Sequence, residues 1–468
     1  MAFTEFYVTK TSALNLHGGS SEALIDNPGD VTAVHDGAGV HTLTDNGVDG
    51  FSNTQVDDFI CWDTAGAAEY ARVTAVTSSD IIVVLNMVGA VAFTGLENKA
   101  VNVGGPWATV HHLFDTMTTS FVNAAGDVPR GNVKYSATSY DEYITPTWSG
   151  TATVPLTFEG YYSTPGDDCM NGATWSPPEI DGTGQTGLAL YYSVSKDYVR
   201  IGNMWMHTPV SGDHCLYFNT GADNVLLFRL RLSATGAGGY AIDLNTADYV
   251  VIRDCWIEDS ASHGIYCSGG GRGLIVEGCL IESAGGYGVY HNGTIHSSFT
   301  GTTITGSADD CIYFASYHGV VDHCILHGST GGSGIKYASP GSSYAGTVRN
   351  SILYGNNQYG IEIVSADVLH TDYNAYGGNG VAATLNHGVV GPHAVTLTGD
   401  PFTNAAGGDF SLNNTAGAGA ACRNAGFPGA MIDGTNEGFA DIGALRHEDP
   451  AGGGGLAKLV GFGGGLVG

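Results

Sequence analysis

Two sets of carboxylates in this 468-residue chain have the types and spacing for acid–base chemistry. Glu258 and Glu282 recur 24 residues apart in the matching strings CWIED and CLIES. Stacked on adjacent turns of a coil, they would approach the roughly 5 Å separation at which one acid attacks and the other donates a proton in glycosidic cleavage. Asp309 and Asp310 stand side by side in SADDCIYF, at a turn before Cys311. Both sets also have structural uses, since a column of like charges belongs to any strongly acidic surface and turn Asp side chains bond the local backbone. No catalytic residue is assigned, and these four acids define the enzyme alternative. His318, His323 and His327 crowd the stretch YHGVVDHCILH and are read as turn and surface histidines spread around one coil, not as a metal site. A lyase would need clustered Asp for calcium beside an Arg or Lys base, and none recurs among 16 cations. No G-x-S-x-G, H-E-x-x-H or P-loop string occurs.

Composition narrows the field. A net charge of -29 repels phosphate backbones and anionic head groups, which excludes nucleic acid as a partner. With 43% hydrophobic residues the chain can still build a large core, and 72 glycines without a Gly-X-Y period point to many tight turns. The longest apolar run, Ile81 to Phe93, is broken by Asn86 and too short to span a membrane. The opening MAFTEFYVTKTSALNLHGG lacks a basic region and a continuous apolar stretch, so no secretory signal is read there. Nine Cys without a C-x-x-C pair give no support to zinc or redox sites.

The elements that would position these residues repeat. From about Tyr198 an apolar strand, a small or polar turn residue, a second short strand, a Gly-rich turn and a third short strand return every 20 to 27 residues. The second strands align Met204, Leu230, Cys255, Cys279, Thr302, Cys324, Ser351 and Tyr373. The third align Cys215, Ala241, Ile265, Val289, Cys311, Ile335, Ile361 and Val381. Two ladders advancing together by about 24 residues make each repeat one turn of a coil, stacked at the strand spacing of a parallel sheet. The expected fold class is all-β, a right-handed parallel β-helix solenoid. Leucine-rich repeats share the period but need an L-x-x-L-x-L frame, which is absent.

Alternation assigns faces. In YVVIRDCWIED, Val250, Ile252, Cys255 and Ile257 point inward, and Val251, Arg253 and Trp256 outward. Cys255 and Cys279 then stack in the core as reduced thiols, because parallel Cβ vectors one rung apart suit no disulfide. Arg253 and Glu277 share an outward column as an exposed ion pair of little worth. Outward positions beside the first ladder run Trp205, Arg231, Trp256, Leu280, Thr303, Ile325, Ile352 and Asn374. Beside the second they run Leu216, Ile242, Tyr266, Tyr290, Ile312, Lys336 and Glu362. Contiguous apolar groups in water leave roughly 1.5–3 kcal/mol each of burial unrealised. A cover is therefore expected: the chain's own loops, identical chains side by side, or a sugar polymer on the Trp and Tyr rings. Self-association into a trimer or larger homo-oligomer ranks first. Trp205, Trp256, Leu280, Ile325, Ile352, Leu216, Ile242, Tyr266, Tyr290 and Ile312 are its candidate interface or glycan-binding residues.

The strings FYVTKTSALNLHGGSSEA, GGPWATVHHLFDTM and VPLTFEGYYSTPGD resemble the start of bacterial and phage-encoded β-helix proteins of the pectate-lyase-like kind. That resemblance implies an amphipathic helix closing the coil's open end, with Trp107, Val110, Leu113 and Phe114 on one face. The stretch closing with ADIGALRH is similar to the same family's end, and PAGGGGLAKLVGFGGGLVG looks like the endings of phage virion proteins. The organisation read from these signals is a first strand and lead-in at 1–24, an inserted small β-domain at 25–102 and a capping-helix region at 103–130. The β-helix with its closing segment follows at 131–447, then a Gly-rich apolar tail at 448–468. SADDCIYF resembles the GDDC-type motif of polygalacturonases, which implies acid and base roles for Asp309 and Asp310. The chain departs from that pattern one coil earlier, at Tyr287, Gly288 and Val289, and one coil later, at Gly332, Ser333 and Gly334. The functional expectation is a non-enzymatic structural and adhesive component of a virion or extracellular surface. A polysaccharide hydrolase or lyase of the tail-spike depolymerase type is the alternative. No cofactor is expected beyond calcium, the one ion that the acidity would suit. Polysaccharide is the expected partner besides a second copy.

Overall fold

The computed structural model describes residues 3–8, 24–37, 40–45, 51–54, 59–64, 67–79, 81–86, 99–104, 109–117, 128–165, 167, 169–170, 176–184, 189–269, 272–292, 297–315, 319–338, 346–364, 369–385, 390–427 and 441–445. Trp107, His318 and the tail 448–468 lie outside these residues. The chain forms two compact units: residues 1–168 with 176–179 and 198–200, and residues 169–175, 180–197 and 201–468.

In the first unit the strands Leu24–Gly37, Val40–Asp45, Phe59–Thr64, Ala67–Ser78, Ile81–Asn86 and Lys99–Gly104 close into an antiparallel barrel. Alternation builds its inside, with Leu43, Ile82 and Val84 buried and Thr42, Ile81 and Val83 only half-buried. Three further strands, Phe3–Val8, Val128–Lys134 and Leu156–Tyr161, pair in parallel. The helix Val110–Thr116 starts at Thr109, whose Oγ1 accepts the His112 N–H at 3.1 Å. Its face of Val110, Leu113 and Phe114 is buried. Phe114 stacks on Phe158 with ring centroids 3.7 Å apart, and Leu113 lies where a Cβ on Gly131 would come within 2.7 Å of it.

The second unit is a parallel solenoid of three sheets, called I, II and III in the order each coil visits them. Within this unit sheet I includes the strands from Leu226–Phe228 to Leu369–Asp372, and sheet II those from Trp205–Thr208 to Val395–Thr396. Sheet III is nine-stranded, from Ala189–Val194 to Ala382–Leu385. Each passage from sheet I to sheet II turns on one residue in the left-handed region, namely Asn203, Arg229, Asp254, Gly278, Gly301, His323, Asn350 and Tyr373, with φ from 48° to 61°. A second such column, Asp259, Ser283, Gly306, Gly328, Gly355 and Gly378, follows sheet II. Glycine reaches this conformation at no steric cost, and six of the residues in these two columns are glycine.

The residue after the first corner points inward in every coil. Met204, Leu230, Cys255, Cys279, Thr302, Cys324, Ser351 and Asn374 are all buried. Several accept a backbone N–H from the coil before: Cys255 donates to Cys279 Sγ at 3.4 Å, Cys324 to Ser351 Oγ at 3.1 Å and Ser351 to Asn374 Oδ1 at 3.0 Å. The described cysteines are free and behave as small apolar groups; burial pushes the Cys324 thiol up to about 12. The last rung corrects the expected register. Tyr373 is the corner, Asn374 is interior, and Ala375 stands over Ile352.

Sheet III corrects it more deeply. Its inward row is Leu216, Ile242, Ile265, Val289, Ile312, Ile335 and Ile361. Leu216, Ile242 and Ile312, expected outside, are fully buried in the core, and the outward places belong to Tyr217, Asp243 and Tyr313. A slip of one residue in a period-two strand exchanges the faces.

On sheet II the outward column is Trp205, Arg231, Trp256, Leu280, Thr303, Ile325 and Ile352. Trp205 and Trp256 are half-buried, whereas Leu280, Ile325 and Ile352 are buried. The cover over Ile325 and Ile352 is the chain's own closing segment. Phe402, Phe410 and Leu412 from the hairpin Phe402–Asn404 with Asp409–Leu412, together with Leu397, Cys422 and Ile442, form one cluster with them. Contrary to expectation, these two positions offer no surface to a second copy.

Candidate functional site

The outward surface of sheet III carries two columns of chemistry-bearing side chains. The first, fixed by strand register, runs Tyr192, Tyr217, Asp243, Tyr266, Tyr290, Tyr313, Lys336 and Glu362. The second stands three residues earlier in each coil, where the chain turns into the sheet: His214, Tyr240, His263, Tyr287, Asp310, Ser333 and Tyr359. Parallel stacking brings like positions together at the strand spacing. Tyr192 and Tyr217 are stacked at 5.2 Å, His214 and Tyr240 at 4.6 Å, and Tyr290 and Tyr313 at 5.3 Å. Cross-column contacts, Tyr240 with Tyr266 at 4.5 Å and Tyr287 with Tyr313 at 4.7 Å, join both columns into one sheet of rings. Every ring in it is half-buried, so faces are spent on neighbours while edges and polar tips meet solvent.

The second column is built by a repeated hydrogen bond. Several of its side chains accept the backbone N–H of the same position one coil later. His214 Nδ1 accepts from Tyr240 at 3.0 Å, His263 Nδ1 from Tyr287 at 3.1 Å and Asp310 Oδ1 from Ser333 at 2.6 Å. An accepting Nδ1 puts the proton of a neutral imidazole on Nε2. Burial keeps both histidines neutral, lowering His263 and taking His214 to about 4.

The ring columns end at a polar cluster. Asp310 is only 4% exposed, and that burial raises its carboxyl to about 6, with Glu362 and Asp309 adding to the rise and Lys336 opposing it. Ser333 Oγ donates to Glu362 Oε2 at 3.0 Å, and Lys336 Nζ lies 3.1 Å from Glu362 Oε1. Burial first, then Asp309 and Asp310, push the neighbouring Tyr287 phenol up to about 12. Asp309 itself is exposed. The four acids singled out in the sequence thus fall on two surfaces. Glu258 and Glu282 are neighbours on adjacent coils of sheet II, as their spacing implied. Each has a partner of its own: Arg231 Nε donates to Glu258, and Trp256 Nε1 donates to Glu282 Oε1 at 2.7 Å. The Arg231 guanidinium is sandwiched 4.5 Å from both the Trp205 and Trp256 rings. One face of each Trp is therefore taken.

His323 is a coil corner that contacts Asp322 at 2.9 Å, and His327 lies edge-on to Phe402 and Phe410 under the closing segment. Among the described residues no group of His, Cys, Asp and Glu is arranged to hold a metal. Among them no helix is long and apolar enough to cross a membrane. The exposed pair Arg253 and Glu277 is present at 2.7 Å.

Residues 217–404 match the family model described as a right handed beta helix region. No curated protein matches the chain. Among solved structures, Geobacillus virus E2 ORF18 is similar at 16% identity and a TM-score of 0.43 over 59% of this chain, which spans about half of that one, 54%. The catalytic unit of a GH87 α-1,3-glucanase from Streptomyces thermodiastaticus is similar at 11% identity and a TM-score of 0.32, over 84% of this chain and 92% of that one. PfbA, a surface adhesin of Streptococcus pneumoniae, is similar at 10% identity and a TM-score of 0.29, over 56% and 81%.

Proposed function

Taking the chain as a right-handed parallel β-helix, we propose that it is an adhesive protein whose sheet III binds an extended polysaccharide. The observation that carries this reading is the double column of Tyr and His rings from Tyr192 to Tyr313, interrupted in the first column at Asp243 and bridged there through His214 and Tyr240. A polymer of sugars repeats its hydroxyls and C–H edges along its length, and the columns repeat phenol and imidazole tips once per coil. The stacked coils hold those tips before any ligand arrives, which reduces the ordering entropy that binding would otherwise consume. Asp243, Asp309, Asp310 and Glu362 against the single Lys336 make this face unfavourable to polyanions, so the polymer is a neutral one. A virion or extracellular setting is the one in which such a face would meet the polymers of a cell surface.

The test is binding of the full chain to immobilised neutral and acidic polysaccharides, with a Tyr266→Ser/Tyr290→Ser double variant and an Arg253→Ser control on sheet I. Loss in the double variant alone supports the reading; equal binding by all three proteins overturns it.

One observation favours a second reading, cleavage of the bound polymer. A buried acid that is half-protonated near pH 6, Asp310, sits at the end of the columns beside Lys336 and Glu362. Release of new reducing ends by the parent and not by Asp310→Asn would establish it. Binding without any cleavage by the parent would leave the adhesive reading alone.

A further inference from the structure

Beside the last strands of sheet I a cavity of about 380 Å³ is lined by Thr347, Arg349, His370, Tyr373, Pro392 and Phe427, among others. Its size falls within the range of small-ligand sites. Register places Thr347 beside His370 and Arg349 beside Asp372 on neighbouring strands. Arg349 donates twice to Asp322 Oδ2, from Nε at 2.9 Å and Nη2 at 2.7 Å, and among the described residues its Nη1 has no hydrogen-bond acceptor. Although burial opposes it, hydrogen bonds from His323, Arg349 and Asn350 hold the Asp322 carboxyl down to about 2. The guanidinium charge is thus matched by a permanent anion, and the cavity gains a directional donor without a net positive charge.

The apolar wall is equally fixed. Phe427 donates its backbone N–H to Asn350 Oδ1 at 2.6 Å, its ring meets Tyr373 edge-on at 5.4 Å, and Arg349 lies 5.6 Å from its centroid. Tyr373 is itself held from behind by His393, stacked at 4.3 Å, which Asp372 grips through Nδ1 at 2.9 Å. Even so, Phe427 remains 46% exposed. A half-exposed aromatic ring beside a charge-matched guanidinium and a threonine suits a ligand with one C–H face and an edge of hydroxyls.

We propose that this cavity is a second saccharide site, taking one neutral hexose-sized unit with its C–H face on Phe427 and its hydroxyls on Arg349 and Thr347. It lies on sheet I and is independent of the polymer surface on sheet III. An anionic sugar gains nothing here, because Asp322 already answers the arginine.

The test is ligand-observed NMR on the full chain with methyl glycosides of glucose, galactose, mannose and N-acetylglucosamine, and with glucuronate as the anionic probe. At least one neutral glycoside binds the parent, and Phe427→Ala weakens it by about tenfold or more. Arg349→Lys, which keeps the charge opposite Asp322 but removes the fork, weakens it likewise, while Arg253→Ser, at an exposed ion pair on an earlier strand of the same sheet, leaves it unchanged. Melting curves of the variants establish that they are folded; Phe427 is exposed enough for its loss to be tolerated. Absence of binding by every neutral glycoside, binding by glucuronate alone, or parent-like binding in Phe427→Ala would overturn the proposal.

Discussion

Replacing Asp310 by Asn should stabilise the protein at neutral pH. The carboxyl is almost fully buried, and burial raises it from 3.8 to about 6. A folded-state value above the unfolded one means that the protonated form is favoured by folding. That contribution is complete below pH 3.8 and is lost as pH rises through 6, so at pH 7 the folded chain bears the whole penalty of an ionised buried carboxylate. At about 1.4 kcal/mol for each tenfold change, the ceiling is about 3 kcal/mol. Asn keeps an Oδ1 to accept the Ser333 N–H now held at 2.6 Å, and it removes the repulsion from Glu362 and Asp309 while giving up attraction to Lys336. We therefore expect a gain of roughly 1–3 kcal/mol at pH 7 that shrinks to nothing near pH 4. Urea denaturation of parent and variant at pH 4, 5.5 and 7 reads this directly. A variant that is less stable at pH 7, or a difference that does not change with pH, would refute the reasoning.

Other outcomes follow from the same geometry. His291 is buried with neither ring nitrogen partnered among the described residues, and burial lowers it to about 4. Its neutral form is stable above pH 6.5 and loses ground as pH falls toward 4, so His291→Leu should gain roughly 1–3 kcal/mol at pH 7 and more at pH 5, by urea melts at both values. Arg231→Ala should cost about 3 kcal/mol, because it leaves the buried Glu258 unpaired and opens the two Trp rings; adding Glu258→Gln should recover part of the loss in a double-mutant cycle. Ile352→Ala should cost about 2–4 kcal/mol and speed proteolysis within 397–427, since the cavity opens under the closing segment. Parent-like cleavage kinetics there would contradict the assignment of that segment as the cover.

The coil was legible because its cause is local and repeated. Sheet II could be read nearly to its end, since Cys255, Cys279 and Cys324 each follow a corner residue and precede an apolar pair. Sheet III misled at Cys215, Ala241 and Cys311, where aligning these small residues with the inward Ile265 displaced Leu216, Ile242 and Ile312 to the wrong face. The signal that would have set it right is the apolar-Tyr pair in LYF, IYC, VYH and IYF, which brings Tyr217, Tyr266, Tyr290 and Tyr313 into one column. His214, Tyr240, His263 and Tyr287 were missed as a set because they sit at the first residue of a strand or in the turn before one, where period two gives no guidance. Nor does any period announce that Phe402, Phe410 and Ile442 return to cover Ile325 and Ile352.

Hydroxyl-radical footprinting of the full chain, with and without a saturating neutral polysaccharide to which it binds, interrogates the sheet III surface side chain by side chain. The account predicts protection of Tyr217, Tyr266, Tyr290 and Tyr313 together, with Tyr249, exposed in the turn before a sheet I strand, unaffected. Protection confined to other residues, or none along the tyrosine column while the polymer is bound, would contradict it.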